Sequence, residues 1–403
     1  MSTEAVDADS YPRPRARGGC PFDPFEPAPE YAHWRAEGTP RRVRLPNGRT
    51  AWLVTRYADA RQVLRDARFS SNSSDPGYPA VGAAVEVPPL NTTFIGLDGA
   101  EHARVRRMFA PEFTPARVAA LRPGIQRIVD ERVDRMTAAG PPADLVDTFA
   151  LPVASQVICL LLGVPYAWHE LFERETHVLT DGSATPARKA QAGGQLLGML
   201  EELAALREKE PRDDLTSRVV ARHVRTGELT RWQAVLNLAL LLGAGHDTSA
   251  NMTALAVLAL TAQGPWPAPG GIDEPLVDEL LRHLTIVQLG ICRVAVADVV
   301  VGGRQVRCGE GVIVSVQAAN RDGAVFPDPG RLDPGRPGAR RQLAFGHGVH
   351  QCLGQTLARA ELRIALDTLA ARLPGLRPAV PVEELSFKDG MDFYGLHAFP
   401  VTW

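Results

Sequence analysis

Lysine is almost missing from this chain. Of its 44 basic residues only Lys189, Lys209 and Lys388 are lysines; the rest are arginines. With abundant Ala, Gly and Pro, that bias matches coding in a GC-rich bacterial genome. Neither sign of charge is in excess, and a formal net charge of −2 gives no electrostatic reason to expect nucleic acid or an anionic membrane as partner. The five cysteines are odd in number, widely scattered and without a CxxC pair. That pattern speaks against a disulfide framework or a zinc knuckle and suits a reducing cytoplasm. Long apolar runs are lacking too: residues 153–164 are too few to span a bilayer, and residues 234–263 are interrupted by Asn237, His246, Asp247 and Asn251. Both read as buried core helices. No apolar stretch of the kind found in signal peptides opens the chain, and residues 1–20 read as a disordered tail. GxGxxG fingerprints and iron–sulfur cysteine spacings are absent, so no reductase is read within this chain.

At 403 residues the chain can bury a large core. Residues 43–45 and 50–55 flank an Asn47-Gly48 turn and read as a hairpin, followed by helical spacing over residues 57–66. Residues 70–90, rich in Ser, Pro and Gly, form a long loop of the kind that carries function. Helical patterns dominate from Glu101 to Ala262, and the last third mixes a helix over residues 274–284 with short strands at 294–301, 305–306 and 311–316. Runs of helix with small strand clusters predict a mainly α, α+β architecture.

Phe345-Gly346-His347-Gly348-Val349-His350-Gln351-Cys352-Leu353-Gly354 frames one cysteine among glycines. A cysteine thiolate is a strong ligand for haem iron, and glycines suit a loop whose backbone approaches a flat cofactor. Helical spacing from Leu353 puts Cys352 just before a helix N-terminus, which predicts a lowered thiol pKa. Ala244-Gly245-His246-Asp247-Thr248-Ser249 places an acid and an alcohol in the middle of a long apolar helix, where burying them is costly unless they work. Gly245 and the Thr248 hydroxyl predict a local bulge there. Glu279 and Arg282 share a helix face at i, i+3; alone, such a pair is worth little. His102 and Arg106 also face one way at i, i+4, though Arg104 and Arg107 beside them are equally those of a solvated face.

Together these segments resemble the cytochrome P450 family of haem-thiolate monooxygenases, of the soluble bacterial class. They match its FGxGxHxCxG, (A/G)Gx(D/E)T, ExxR and HxxxR motifs in order and spacing across roughly residues 20–403. The resemblance implies the family's triangular-prism fold, with a long central helix and small sheets, as one domain over residues 21–403. It implies that Cys352 ligates the iron of heme b (iron protoporphyrin IX), with Phe345, Gly346 and Ala244 against the cofactor. His102, Arg106, Arg293 and His350 bind its propionates as charge-assisted pairs. Thr248 holds a water by hydrogen bonding and Asp247 relays protons from solvent. Glu279 and Arg282, joined by Arg336 or a neighbouring arginine, hold the cysteine loop. Asp98-Gly99-Ala100-Glu101 replaces the family's acidic-Pro-Pro run, which predicts a looser loop before His102.

The implied activity is insertion of one oxygen atom from O2, by hydroxylation or epoxidation. Electrons come from NAD(P)H through a separate ferredoxin and ferredoxin reductase, with Arg104, Arg107, Arg359 and Arg363 as a basic docking face. The pocket is drawn from residues 73–90, 166–185, 240–248, 286–291 and 391–394, notably Ala244, Ile286, Val287, Leu289 and Phe393. Its apolar lining suits a large hydrophobic substrate: a macrolide, polyketide or other secondary metabolite of antibiotic biosynthesis, or a xenobiotic. Two other classes stay open. A phenol-coupling or desaturating oxidase would often lack the Asp247-Thr248 pair, and a non-catalytic scaffold would be expected to lose Cys352.

Overall fold

The computed structural model describes residues 9–12, 23–81, 92–180, 184–262, 266–389 and 391–403. Its helices are α1 (Glu30–Glu37), α2 (Tyr57–Arg65), α3 (Gly99–Phe109), α4 (Pro115–Ala139), α5 (Leu151–Leu162), α6 (His169–Thr180), α7 (Pro186–Lys209), α8 (Leu215–Val219), α9 (Arg231–Ala262), α10 (Glu274–Leu284), α11 (Val316–Asn320) and α12 (Gln355–Arg372). The strands are β1 (Asp9–Ser10), β2 (Arg41–Arg44), β3 (Thr50–Val54), β4 (Phe69–Ser70), β5 (Ala143–Asp144), β6 (Ile291–Ala295), β7 (Val299–Val301), β8 (Arg304–Val306), β9 (Gly311–Val314), β10 (Arg377–Pro378) and β11 (Pro400–Thr402). The architecture is mainly α with small sheets.

Helix α9 is apolar on nearly every side, and such a helix is stable only when surrounded. It packs against α5, α7, α10 and α12, and its apolar cluster reaches from Phe25 to Val401. Helical hydrogen bonding runs unbroken through α9, so the expected bulge is no interruption; instead the Thr248 hydroxyl donates to the Ala244 carbonyl at 2.6 Å. Gly245 serves packing: a Cβ there would come within 3.0 Å of Ile158 on α5.

The main sheet has the order β1-β2-β3-β9-β6-β4. The β2–β3 hairpin forms where the alternation placed it, with Arg41 opposite Leu53 and Gly48 at φ +81° in the turn. The single strand read over residues 294–301 is two. Strand β6 ends at Ala295 because its partner β4 ends opposite it, and the chain then turns into the separate β7–β8 hairpin. The tail read over residues 1–20 is held at its middle. Strand β1 lies parallel to β2, and the buried Tyr11 donates its hydroxyl to the Leu289 carbonyl at 3.0 Å. Residues 1–8 and 13–20 of that tail, and residues 82–90 of the long loop, lie outside the described residues.

Glu279 and Arg282 on α10 are wholly buried. Glu279 Oε2 accepts from Arg282 Nε at 2.7 Å, while its Oε1 accepts from Arg282 Nη2 at 2.8 Å, Arg336 Nε at 2.9 Å and the Asp333 backbone N–H at 2.9 Å. Arg282 also donates to the carbonyls of Asn320 and Pro329, each at 2.9 Å. One carboxylate thus fastens α10 to the loop that leads into the cysteine segment. Glu279→Gln removes the charge answering two buried guanidiniums, so we expect a loss of about 3–5 kcal/mol in denaturant unfolding. An unchanged unfolding midpoint would contradict this role.

Candidate functional site

Cys352 sits three residues before α12, after a helical turn at Gly348–His350, and its backbone N–H donates to the Phe345 carbonyl at 2.8 Å. The loop is pressed onto α2: a Cβ at Gly348, where φ is +77°, would lie 2.3 Å from the Leu64 carbonyl oxygen. Only glycine meets both demands. The Cys352 side chain is accessible, yet its thiol is desolvated, which places the accessible side on an enclosed cleft rather than the outer surface. Burial raises the thiol pKa and outweighs the backbone N–H groups of Gly354 and Gln355 and the charges of Arg106 and Arg359. The lowered value expected from helix position alone is therefore corrected by burial. A coordinated metal deprotonates such a thiol outright.

Four basic side chains converge beside this loop. The His102 and His350 rings lie with centroids 4.0 Å apart, tilted by 37°, Arg106 Nη2 donates to the Gln351 carbonyl at 2.6 Å, and the buried Arg293 donates to the Cys292 carbonyl at 2.7 Å. His102 Nε2 and His350 Nδ1 are buried with no hydrogen-bond partner among the described residues. Burial first, then the charges of His350 and Arg106, bring the His102 pKa down to about 4. Burial also lowers His350, against the pull of Asp98, whose Oδ1 lies 3.8 Å from His350 Nε2. Two orphaned ring nitrogens and two guanidiniums around one spot fit a group carrying carboxylates, as haem does with its propionates. Asp98 corrects the expectation of a loose loop. It accepts hydrogen bonds from the Ser70 and Ser71 hydroxyls and from the Ser71 backbone N–H at 3.0 Å. Burial would raise its pKa, but these bonds and His350 hold it below the ordinary carboxylate range.

On α9, Gly243 and Ala244 are accessible although the helix around them is buried, which marks where the cleft meets it. One turn on, Asp247 Oδ1 accepts from Lys388 Nζ at 3.1 Å, and the same ammonium donates to Asn251 Oδ1 at 2.8 Å. Ser249 donates to Glu361 Oε2 at 3.3 Å, joining α9 to the helix that follows Cys352. Burial pushes the Glu361 carboxyl up to about 8 against the Ser249 bond. Sequence reading missed Lys388, Asn251 and Glu361. Glu361 was findable, one turn from Leu357 on the buried stripe of α12.

The pocket residues are brought together in part. Val287 and Phe393 face each other across a backbone bridge, and the Tyr394 N–H donates to the Ile286 carbonyl at 2.7 Å. Ile286 packs on the cluster that contains α9, whereas Leu289 turns to the Tyr11–Trp34–Val43 cluster. On the side of α4, α10 and α12 lies a cavity of about 570 Å³ lined by Arg122, Arg340, Arg359 and Arg363 together with Phe345 and Gln351. Arg104 is not part of it and pairs with Glu101 at 2.6 Å.

The sequence profile described as Cytochrome P450 matches residues 274–372. Cytochrome P450-SU2 of Streptomyces griseolus is 46% identical, with 100% of this chain and 98% of the relative covered. A vitamin D3 dihydroxylase of the same organism is 44% identical over 99% of this chain and 98% of its own length. The crystal structure of GfsF superposes with a TM-score of 0.91 at 40% identity, covering 98% of this chain and 100% of that one. The chain belongs to the cytochrome P450 family. It is a monooxygenase, an oxidoreductase that works with haem iron, O2 and electrons from a reductase system.

Replacing His102 and Arg106 by alanine together should weaken haem retention. Each lost charge-assisted bond is worth about 1.5–3 kcal/mol, so the purified variant should carry substoichiometric haem by its absorbance ratio. Full occupancy at unchanged thermal stability would overturn their role in holding the haem carboxylates.

Proposed function

We propose that this chain inserts one oxygen atom of O2, by hydroxylation or epoxidation, into a bulky and mostly hydrophobic organic molecule. The substrate class is a macrolide, polyketide or comparable secondary metabolite of antibiotic biosynthesis. The apolar Ile286, Val287 and Phe393 support that reading, as does the similarity to a vitamin D3 dihydroxylase. The balance is R–H + O2 + two electrons + two protons giving R–OH and water. The observation that carries it is the acid–alcohol pair Asp247-Thr248, one turn beyond the accessible Gly243–Ala244 in the middle of α9.

When bound, haem supplies the oxidation chemistry, and a cysteine ligand favours O–O cleavage. Cys352 would be that ligand, with Phe345, Gly346 and Ala244 against the ring. His102, Arg106, Arg293 and His350 would hold its carboxylates. The Thr248 hydroxyl, which donates to the Ala244 carbonyl, would accept a hydrogen bond from a water in the cleft, and Asp247 would pass protons to that water. Electrons come from NAD(P)H through separate ferredoxin and reductase proteins, in a cytoplasmic setting. The arginine-lined cavity beside Phe345 supports docking of an acidic partner there. Residues 21–403 work as one catalytic unit.

Thr248→Ala should retain haem and substrate binding but lose product, because general acid help of this kind contributes roughly 10²–10⁴-fold. Electron consumption continues and appears as released hydrogen peroxide. Product, peroxide and reduced cofactor measured together check this, and coupling at the wild-type level would revive the coupling-oxidase reading. In Cys352→Ala the thiolate-type ferrous–CO absorption band should vanish while the protein stays folded. A retained band would move the ligand elsewhere.

A further inference from the structure

We propose that Lys388 is a positioning residue for proton delivery, holding the Asp247 carboxylate and tying it to the chain segment that lines the substrate cleft. This rests on the reading of Asp247 as the proton relay.

In a chain with three lysines, one is only 5% exposed. Burying an ammonium is costly unless it is answered by charge and hydrogen bonds. Lys388 Nζ is answered by Asp247 Oδ1 at 3.1 Å and Asn251 Oδ1 at 2.8 Å, one helical turn apart on α9. The main chain around it is equally fixed. The Lys388 N–H donates to the Gly395 carbonyl at 2.9 Å, and the Lys388 carbonyl accepts from Gln288 Nε2 at 3.1 Å. Gly395 lets this turn lie on α9, since a Cβ there would fall 2.1 Å from Asn251 Oδ1.

The same turn carries the pocket. Gln288 Nε2 also donates to the Met391 carbonyl at 3.0 Å, the Gln288 N–H donates to the Asp392 carbonyl at 3.0 Å, and Val287 bridges Phe393. Residues 286–288 are therefore sewn to Lys388 and to residues 391–394. This turn brings an ammonium to the relay acid. Asp392 on this turn carries a carboxyl pushed up by burial and by the charge of Asp247. A staple between loop and helix needs no charge. A cation on the relay carboxylate also fixes its direction.

The test compares Lys388→Met, Lys388→Arg, Asp247→Asn and the Lys388→Met/Asp247→Asn double variant as holoenzymes. The first readout is the infrared band of the protonated Asp247 carboxyl in substrate-free protein, assigned by its loss in Asp247→Asn. Its titration midpoint should rise by about 1–3 pH units in Lys388→Met, because an opposite charge at this range lowers a carboxyl by that much. Lys388→Arg should return it toward wild type. The acidic limb of the turnover profile should rise with it, the solvent isotope effect on turnover should grow, and the double variant should match Asp247→Asn. A midpoint, profile and isotope effect unchanged in Lys388→Met, with only thermal stability reduced, would make Lys388 a staple and overturn the proposal. If Lys388→Met does not fold, Lys388→Gln takes its place with the same expected and contrary outcomes. Failure of the underlying reading looks different: Asp247→Asn itself would then turn over at the wild-type rate.

Discussion

Everything at the site hangs from one buried carboxylate. Glu279 holds two guanidiniums and a backbone N–H in a region from which water is excluded, and none of these partners can leave without stranding a charge. Because Arg336 belongs to the loop that leads into residues 345–354, this constraint fixes where that loop begins. Its far end is fixed by close approach, with Gly348 against the Leu64 carbonyl. Between two such anchors a cysteine can be held with little freedom. Such a network costs desolvation and is better at fixing geometry than at adding stability.

The same economy runs through the rest of the cleft. His102 and His350 bring orphaned nitrogens, Arg293 brings a buried cation with a backbone partner, and Asp98 turns His350 from the other side. A protein tolerates such groups where a ligand completes them. On α9 the Asp247 carboxylate accepts from the Lys388 ammonium, whereas at the α9–α12 contact burial pushes the Glu361 carboxyl up and Ser249 donates to it.

Local pattern made the chemistry-bearing residues legible. Cys352, the acid–alcohol pair, Glu279–Arg282 and His102–Arg106 each sit in a short motif, and the apolar character of α9 announced a central helix. What stayed hidden was every partner supplied from a distance. Lys388 meets Asp247 across 141 residues, and no periodicity reports such a contact. The thiol pKa went the wrong way for the same reason: helix position is local, whereas burial is a property of the whole fold. Leu289 shows the limit within a short segment, since it packs on a different apolar cluster from Ile286 three residues before it.

Isotope labelling tests the central claim most directly. Turnover of a substrate that the enzyme binds, under 18O2 in ordinary water, should give product carrying one labelled oxygen atom per oxidation, with the second atom recovered as water. Product whose new oxygen derives from water, or product that is coupled or dehydrogenated with no oxygen gained, would contradict oxygen insertion by this site.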